Sequence, residues 1–226
     1  VFARIAAPTR SDTGVLLELP TGWRNGARVL GKSDLLIMAQ QWWQTEHGLR
    51  RLGGNTSRNP EFKFQYFTDA PLLGDLIALF NAGEPHLQPV IDSQLDAMIA
   101  RDRSLAPRVL DFLGVEYVTV HVEKSPPQLL RFVEEALPLT LVAEETTAAA
   151  DGPQTIRLYR VDGSAGGLAQ TAGDGEPILM GGPWANLHLA EGWSPAVLDP
   201  PGRYATQRQP RLLLNLPEEG ARVELA

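Results

Sequence analysis

The sequence predicts an α/β fold, with a mixed sheet flanked by helices and followed by a short all-β segment. Two observations support this prediction. Short apolar runs alternate with stretches of helical periodicity through residue 162, and such alternation is typical of α/β proteins. Between residues 115 and 142 a strand, a helix and a second strand follow one another, which is the order of a βαβ unit.

Five runs are predicted as strands because they are apolar or alternate between apolar and polar residues. The first, VLLEL, is closed by Pro20. The clearest, VEYVTVHV, alternates so that Val115, Tyr117, Thr119 and His121 share one face. The polar, Ala-rich stretch 146–153 is expected to be a hairpin loop. The predicted strands are 15–19, 49–52, 115–122, 139–144 and 155–161.

Four stretches with helical spacing of apolar residues are predicted as helices. Ser33 or Asp34 can cap the first one, and packing of Trp42 into the core is the favoured interpretation at its end. Pro107 is a candidate break in the third, and Pro127 occupies the first turn of the fourth. The predicted helices are 34–43, 71–80, 91–113 and 127–137.

Composition divides the chain into an α/β domain at 1–162, a Gly- and Ala-rich linker at 163–183 and a β segment at 184–226. Within the last segment, 185–189 and 210–216 are predicted as strands. About forty residues are too few for a stable β-sandwich, so the segment either extends the first sheet or begins a truncated sandwich. The chain starts without an initiator Met, which indicates a fragment of a longer protein.

The composition excludes several classes of function. A net charge of −7 and a pI near 5.1 argue against nucleic acid as a partner, because phosphate binding needs a basic face. The chain has no cysteine, which excludes disulfides, thiolate metal sites and cysteine nucleophiles. Its four histidines have no recognised metal-ligand spacing, and no motif indicates a catalytic residue or a cofactor. We therefore expect no metal and no cofactor.

The densest group of polar, aromatic and glycine residues is WWQTEHG at 42–48, followed by GGNTSR at 53–58. A segment selected only for packing would show plain apolar periodicity, so we expect a ligand site here. Trp43 could stack on a sugar ring, and the polar side chains could bond hydroxyl or phosphate groups. The predicted ligand-binding residues are Trp43, Gln44, His47, Asn55, Ser57 and Arg58.

Five motifs in order resemble one protein family. They are VLLELP at 15–20, QTEHG at 44–48, GGNTSR at 53–58, LGVEYVTVH at 113–121 and IRLYR at 156–160. Together they resemble the extracytoplasmic C-terminal region of bacterial polytopic membrane glycosyltransferases of the GT-C type, which are similar to polyprenyl-phosphate-mannose mannosyltransferases. LHLAEGWS at 187–194 resembles the opening of a carbohydrate-binding-like β-sandwich.

The resemblance implies a non-catalytic, extracytoplasmic domain of a membrane protein, since the catalytic acid of such proteins lies between their first membrane helices. It implies a glycan or a polyprenyl-phosphate sugar as a partner, together with the protein's own transmembrane region. One departure concerns Trp42 and Trp43, which stand where tyrosines are expected. This departure affects any sugar-stacking surface and therefore the ligand preference.

Two other functions stay open. The chain could be a stand-alone hydrolase or transferase in which Glu46 or His47 is the general base, which requires a second acid within reach. It could instead be a structural or interaction module. That alternative predicts that the side chains from Trp42 to Arg58 are buried in packing and line no cleft.

Overall fold

The fold confirms the predicted α/β class, with a mixed five-stranded sheet and flanking helices. It is seen in a computed structural model that describes residues 14–25, 28–32, 35–55, 61–149, 152–163, 182, 184–194, 197–198 and 201–214. The helices are α1 (Leu35–His47), α2 (Glu61–Asp69), α3 (Leu73–Phe80), α4 (Gln88–Phe112), α5 (Pro127–Ala136) and α6 (Ala185–His188).

The main sheet contains β1 (Val15–Leu19), β4 (Arg50–Arg51), β6 (Val115–His121), β7 (Leu139–Ala149) and β8 (Gly152–Val161), in the order β4-β1-β6-β8-β7. Strand β1 runs parallel to β4 and β6, whereas β8 runs antiparallel to β6 and β7. Consequently β6 and β7 are parallel and are joined through α5, as the predicted βαβ unit requires. Strand β8 lies between them, so the two parallel strands are not neighbours.

The main hydrophobic core lies on one face of this sheet. Leu17 and Leu19 of β1 and Val118 and Val120 of β6 are buried there with apolar side chains of α2 to α5. Val115 belongs to the same core, although strict alternation predicts that it shares the face of Tyr117. The β1–β6 register shifts by one residue at this point, and such a bulge reverses the alternation.

A second, three-stranded sheet contains β2 (Gly22–Arg24), β3 (Val29–Gly31) and β5 (Gly54–Asn55). These strands are too short to give a periodic signal, so the sequence did not predict them. Helix α2 was missed for a different reason. Phe62, Phe64 and Tyr66 recur at every second residue, which is the spacing of a strand. The backbone is nevertheless helical, and Phe64 is buried.

Several predicted boundaries are wrong. Helix α1 continues through His47 instead of ending near Trp43, and α4 is continuous through Pro107. The stretch predicted as a loop at 146–153 is mostly strand, because β7 extends to Ala149 and β8 begins at Gly152. Ser33 and Asp34, the candidate caps, lie outside the described residues, as does 164–181 of the expected linker.

The segment after the expected linker differs from its prediction. Residues 185–188 form a helix, not a strand. Of the predicted strand 210–216, Leu212 forms a single bridge with Leu189, and 215–216 lie outside the described residues. Strands β9 (Val197–Leu198) and β10 (Pro201–Gly202) pair with each other.

Helix α6 packs directly on the α/β core. Leu187 is buried within the main core, and the Tyr66 hydroxyl donates to the Leu187 carbonyl at 3.0 Å. The Arg108 guanidinium lies 4.4 Å from the centre of the Trp184 ring. The start of the 184–214 segment is therefore part of the packing of the α/β core.

We predict that Leu187→Ala lowers the free energy of unfolding by about 2–5 kcal/mol, because it leaves a cavity in the core. Chemical denaturation followed by circular dichroism measures this change. Leu213→Ala is the matched control, since Leu213 belongs to the same segment but is 37% exposed. Equal, small effects of the two substitutions would show that α6 does not complete the core.

Candidate functional site

Helix α1 contacts the second face of the main sheet through Gln40 and Trp43. That face carries a small apolar cluster around Leu16 and Leu158 and, beside it, a group of buried polar side chains. Glu18 of β1 lies beside Thr119 of β6 in the strand register, and His121 is two residues farther along β6. All three side chains are buried, with at most 5% of their surface exposed. They lie towards the carboxyl ends of two parallel strands, where α/β proteins commonly place their ligands.

Two side chains connect this face to the elements around it. Arg51 of β4 donates from Nε to the Glu18 carboxylate and from Nη2 to Gln40 Oε1 of α1 at 3.1 Å. The Gln40 amide in turn donates from Nε2 to the Pro20 carbonyl at 2.9 Å. The Arg51 and Glu18 side chains are only 3% and 1% exposed. We call Glu18, Arg51 and Gln40 the polar lock, because they join β1, β4 and α1.

Burial changes the acidity of two groups on this face in opposite senses. Desolvation raises the pKa of Glu18 from 4.5 to about 7, against the opposing attraction of Arg51. Desolvation also lowers the pKa of His121 from 6.5 to about 4, with a smaller opposing effect from Glu123. At neutral pH His121 is therefore uncharged, and Glu18 holds its proton to a higher pH than a free carboxyl group does.

Three polar atoms on this face have no hydrogen-bond partner within the described part of the chain: Glu18 Oε1, Thr119 Oγ1 and His121 Nε2. A carboxyl group with a pKa near 7 has the acidity that general acid–base catalysis requires. However, these side chains lie in the interior beneath α1, so a substrate does not reach them in this conformation. The arrangement holds a helix in place and does not form an open catalytic centre.

Three of the predicted ligand-binding residues fasten α1 to its surroundings. Trp43 stacks on His121, with ring centroids 5.3 Å apart. Gln44 donates from Nε2 to the Leu49 carbonyl at 2.9 Å. His47 is fully buried, and its Nδ1 accepts the Leu49 backbone N–H at 3.1 Å. All three side chains are therefore engaged with neighbouring elements, His47 in the interior and Trp43 and Gln44 in half-buried positions.

Asn55 of β5 also contacts α1. Its carbonyl accepts a hydrogen bond from Gln41 Nε2 at 3.1 Å, and its side-chain amide donates to the Met38 sulfur at 3.4 Å. Ser57 and Arg58 lie outside the described residues. The structure thus brings Trp43, Gln44, His47 and Asn55 together around α1.

The alternative acid–base pair does not share a site. Glu46 is exposed, whereas His47 is fully buried. Adjacent residues on a helix point about 100° apart, so both cannot face one substrate atom. This geometry gives no support to general-base catalysis by the pair.

The outer face of α1 is apolar. Leu35, Met38 and Trp42 are 86%, 52% and 72% exposed, and their spacing places them along one line of the helix. We call these three residues the outer stripe. The expectation that Trp42 packs into the core is therefore wrong.

Helix α1 has reversed amphipathicity, which explains this error. Its buried residues are Ile37, Gln40 and His47, so two of the three side chains that face the protein are polar. The sequence contains the signal, since Gln40, Gln44 and His47 have helical spacing. The prediction placed the apolar residues on the inner face instead, because apolar residues normally mark the inner face of a helix.

Comparison with known proteins identifies no relative: no family model matches the chain, and no match exists among the curated proteins or the solved structures. Within the described ranges, no helix combines the length and apolar character needed to cross a membrane. In the same ranges, no three His, Asp or Glu side chains are grouped so that they could hold a metal ion.

The opposite pKa shifts predict opposite pH profiles for two variants. The folded state holds the Glu18 proton more tightly than the unfolded state, so the stabilisation by this proton is lost as the pH rises from 4.5 to about 7. The folded state binds the His121 proton less tightly than the unfolded state does. The stabilisation that the neutral ring provides is therefore lost as the pH falls from 6.5 to about 4. Each effect is limited to about 1.4 kcal/mol per pH unit.

The measurement is the free energy of unfolding, by urea denaturation, as a function of pH. Relative to the wild type, Glu18→Gln becomes more stable as the pH rises from 4.5 to 7, and His121→Gln becomes less stable from 4 to 6.5. Taking the difference from the wild type removes the groups that all three proteins share. Profiles of the same sign for both variants would contradict the assigned shifts.

Proposed function

We propose that this chain is a non-catalytic, extracytoplasmic domain of a membrane glycosyltransferase-like protein, and that it helps to recognise a glycan or a lipid-linked sugar. The observation that supports this proposal best is the outer stripe of α1. Leu35, Met38 and Trp42 expose three large apolar side chains along one helix. Contiguous exposed apolar surface is typical of an interaction site.

The chemistry of the stripe fits a ligand that is apolar at one end and hydroxylated at the other. The indole of Trp42 offers a flat face for a sugar ring. Glu46 is exposed one helical turn later, within reach of hydroxyl groups on the same sugar. Leu35 and Met38 lie on the other side of Trp42 and would contact an isoprenoid chain. In this proposal Trp42 replaces Trp43 as the stacking residue, because Trp43 already stacks on His121.

The location and the wider protein are proposed from the motifs between residues 15 and 160, which resemble the soluble region of GT-C membrane enzymes. The polar lock is consistent with the non-catalytic part of the proposal. Its polar groups bond to one another and hold the inner face of α1 in place, so they serve a structural role. The outer stripe of the helix is left exposed for binding. The transmembrane region of the same protein and a polyprenyl-phosphate sugar are the proposed partners.

An interaction module is the second candidate, and the outer stripe also supports it. Three exposed apolar side chains along one helix could bind an apolar protein surface as readily as a lipid. The two candidates differ in what reduces the exposure of Trp42: a lipid-linked sugar in the first and a protein in the second.

We predict that Trp42→Ala weakens binding of a short-chain polyprenyl-phosphate mannose by about tenfold or more, since the indole provides the main contact surface. Isothermal titration calorimetry measures the affinity, with methyl α-mannopyranoside and the sugar-free polyprenyl phosphate as separate ligands. The affinities for these two ligands show how much of the binding comes from the sugar and how much comes from the lipid.

Tyr204→Ala is the matched control, because Tyr204 is also an exposed aromatic residue, at 60%, and lies outside α1. Both substitutions are at the surface and should change the free energy of unfolding by no more than about 0.5 kcal/mol. Equal affinity of wild type and Trp42→Ala for the lipid-linked sugar, or no binding by the wild type, would contradict the proposed function.

A further inference from the structure

Strands β7 and β8 extend beyond the rest of the main sheet. Strand β6 pairs with β8 only from Ile156 to Arg160, whereas β7 continues to pair with β8 as far as Gly152. Residues 146–149 and 152–155 therefore form a two-stranded ribbon outside the sheet, about 13 Å long at the usual rise of a strand. We call this ribbon the arm. Two strands alone are marginally stable in water, so a third strand would stabilise the arm.

The β8 edge of the arm is closed to a further strand. The Thr155 backbone N–H points away from β7 and donates to Glu123 Oε2 at 2.7 Å. Pro153 lies two residues earlier, at a position that faces the same way, and it has no N–H to donate. Proline on an edge strand hinders pairing with another strand. A third strand would therefore approach the arm from the β7 side.

The bond of Thr155 also shows which backbone groups of β7 point outwards. In an antiparallel pair, two opposed residues direct their N–H and C=O groups either towards each other or both away. Thr146 is opposite Thr155, so its groups point away from β8, as do those of Glu144 and Ala148. Strand β7 is the last of its sheet, and no described strand other than β8 pairs with it. These three residues therefore offer their N–H and C=O groups to a further strand.

This edge lacks the features that commonly protect an edge strand from pairing. Thr146, Thr147 and Ala148 are exposed, and no proline or lysine lies between residues 144 and 149. The bulge of β7 lies earlier, between Leu141 and Ala143, and does not interrupt this stretch. Threonine also favours extended backbone. The outer half of β7 is therefore suited to pairing.

The order of residues along β7 matches a second copy of the same strand. When a two-fold axis passes through Thr146, its outward groups pair with those of the other Thr146, and Glu144 pairs with Ala148. All three outward residues then have partners, and Glu145 lies opposite Thr147. An axis at Glu144 or Glu145 would instead place two glutamates opposite each other, which destabilises a strand pair. The backbone groups and the charges thus favour the same register.

We infer that the β7 edge of the arm pairs antiparallel with the same edge of a second copy, with the two-fold axis at Thr146. Each of Glu144, Thr146 and Ala148 then donates one bond and accepts one, which gives about six backbone hydrogen bonds across the interface. The charge of Glu144 is compensated by Arg157, whose Nε donates to its carboxylate at 2.6 Å. The outer stripe takes no part in this contact, so the inference does not rest on the proposed function.

Sedimentation velocity of the whole chain, from micromolar to millimolar concentrations, measures whether it associates. We expect a monomer–dimer equilibrium for the wild type. Thr147→Glu places a glutamate opposite Glu145 twice in each dimer, so the dissociation constant should rise about tenfold or more. Gln154→Glu is the matched control, because Gln154 is opposite Thr147 on β8 and adds the same charge away from the β7 edge.

Further variants test the register itself. Adding Glu145→Lys to Thr147→Glu makes each opposed pair oppositely charged, so the dimer should be restored. The chain has no cysteine, so Thr146→Cys should cross-link two copies on oxidation, since the two opposed Cα atoms lie about 5.5 Å apart. Ala148→Cys should not, because in this register the two Ala148 positions lie about 14 Å apart, beyond the reach of a disulfide.

The outcomes separate this inference from the proposed function. A monomer at every concentration, or a dimer that Thr147→Glu leaves unchanged, would overturn the inference. Equal cross-linking of Thr146→Cys and Ala148→Cys would overturn it too, as would a dimer that Trp42→Ala abolishes, since that dimer forms through the outer stripe. A dimer lost in Thr147→Glu but kept in Gln154→Glu and Trp42→Ala supports the inference even if the protein binds no lipid-linked sugar.

Discussion

The buried ion pair between Glu18 and Arg51 is the interaction on which the arrangement of this protein depends. Two charges beneath a helix are costly to desolvate, and they persist only when their partners are well placed. Here Arg51 donates to one carboxylate oxygen of Glu18 and to Gln40 of α1, and Gln40 donates to the Pro20 carbonyl. Removing any one of the three side chains would leave a buried polar group without its partner.

This constraint determines what the surface presents. Because Gln40 and His47 share the inner face of α1 with Ile37, three large apolar residues of that helix face the solvent as the outer stripe. A helix held by apolar packing would bury these residues and expose its glutamines. The polar groups of the WWQTEHG segment, which predicted a binding site, fix the helix, and the proposed recognition surface lies on its other side.

The sequence predicted much of the fold, since apolar periodicity dominates where packing is conventional. VLLEL and VEYVTVH form the central parallel strands, and the amphipathic α5 begins at Pro127 as expected. Prediction failed where other forces decide. Gln40 and His47 face inwards through hydrogen bonds, where apolar periodicity would place apolar residues. The contact between Tyr66 and Leu187 joins segments that only the tertiary structure brings together.

Native-state hydrogen exchange tests the central claim, that the polar lock holds α1 on the sheet. In Arg51→Met, the α1 amides from Ile37 to Gln44 should exchange about a hundredfold faster, because local opening of the helix no longer has to break the buried pair. The exchange of the α4 amides should change little. Arg50→Met, the exposed neighbour on β4, should match the wild type. Unchanged α1 exchange in Arg51→Met, or equal acceleration in α1 and α4, would contradict the claim.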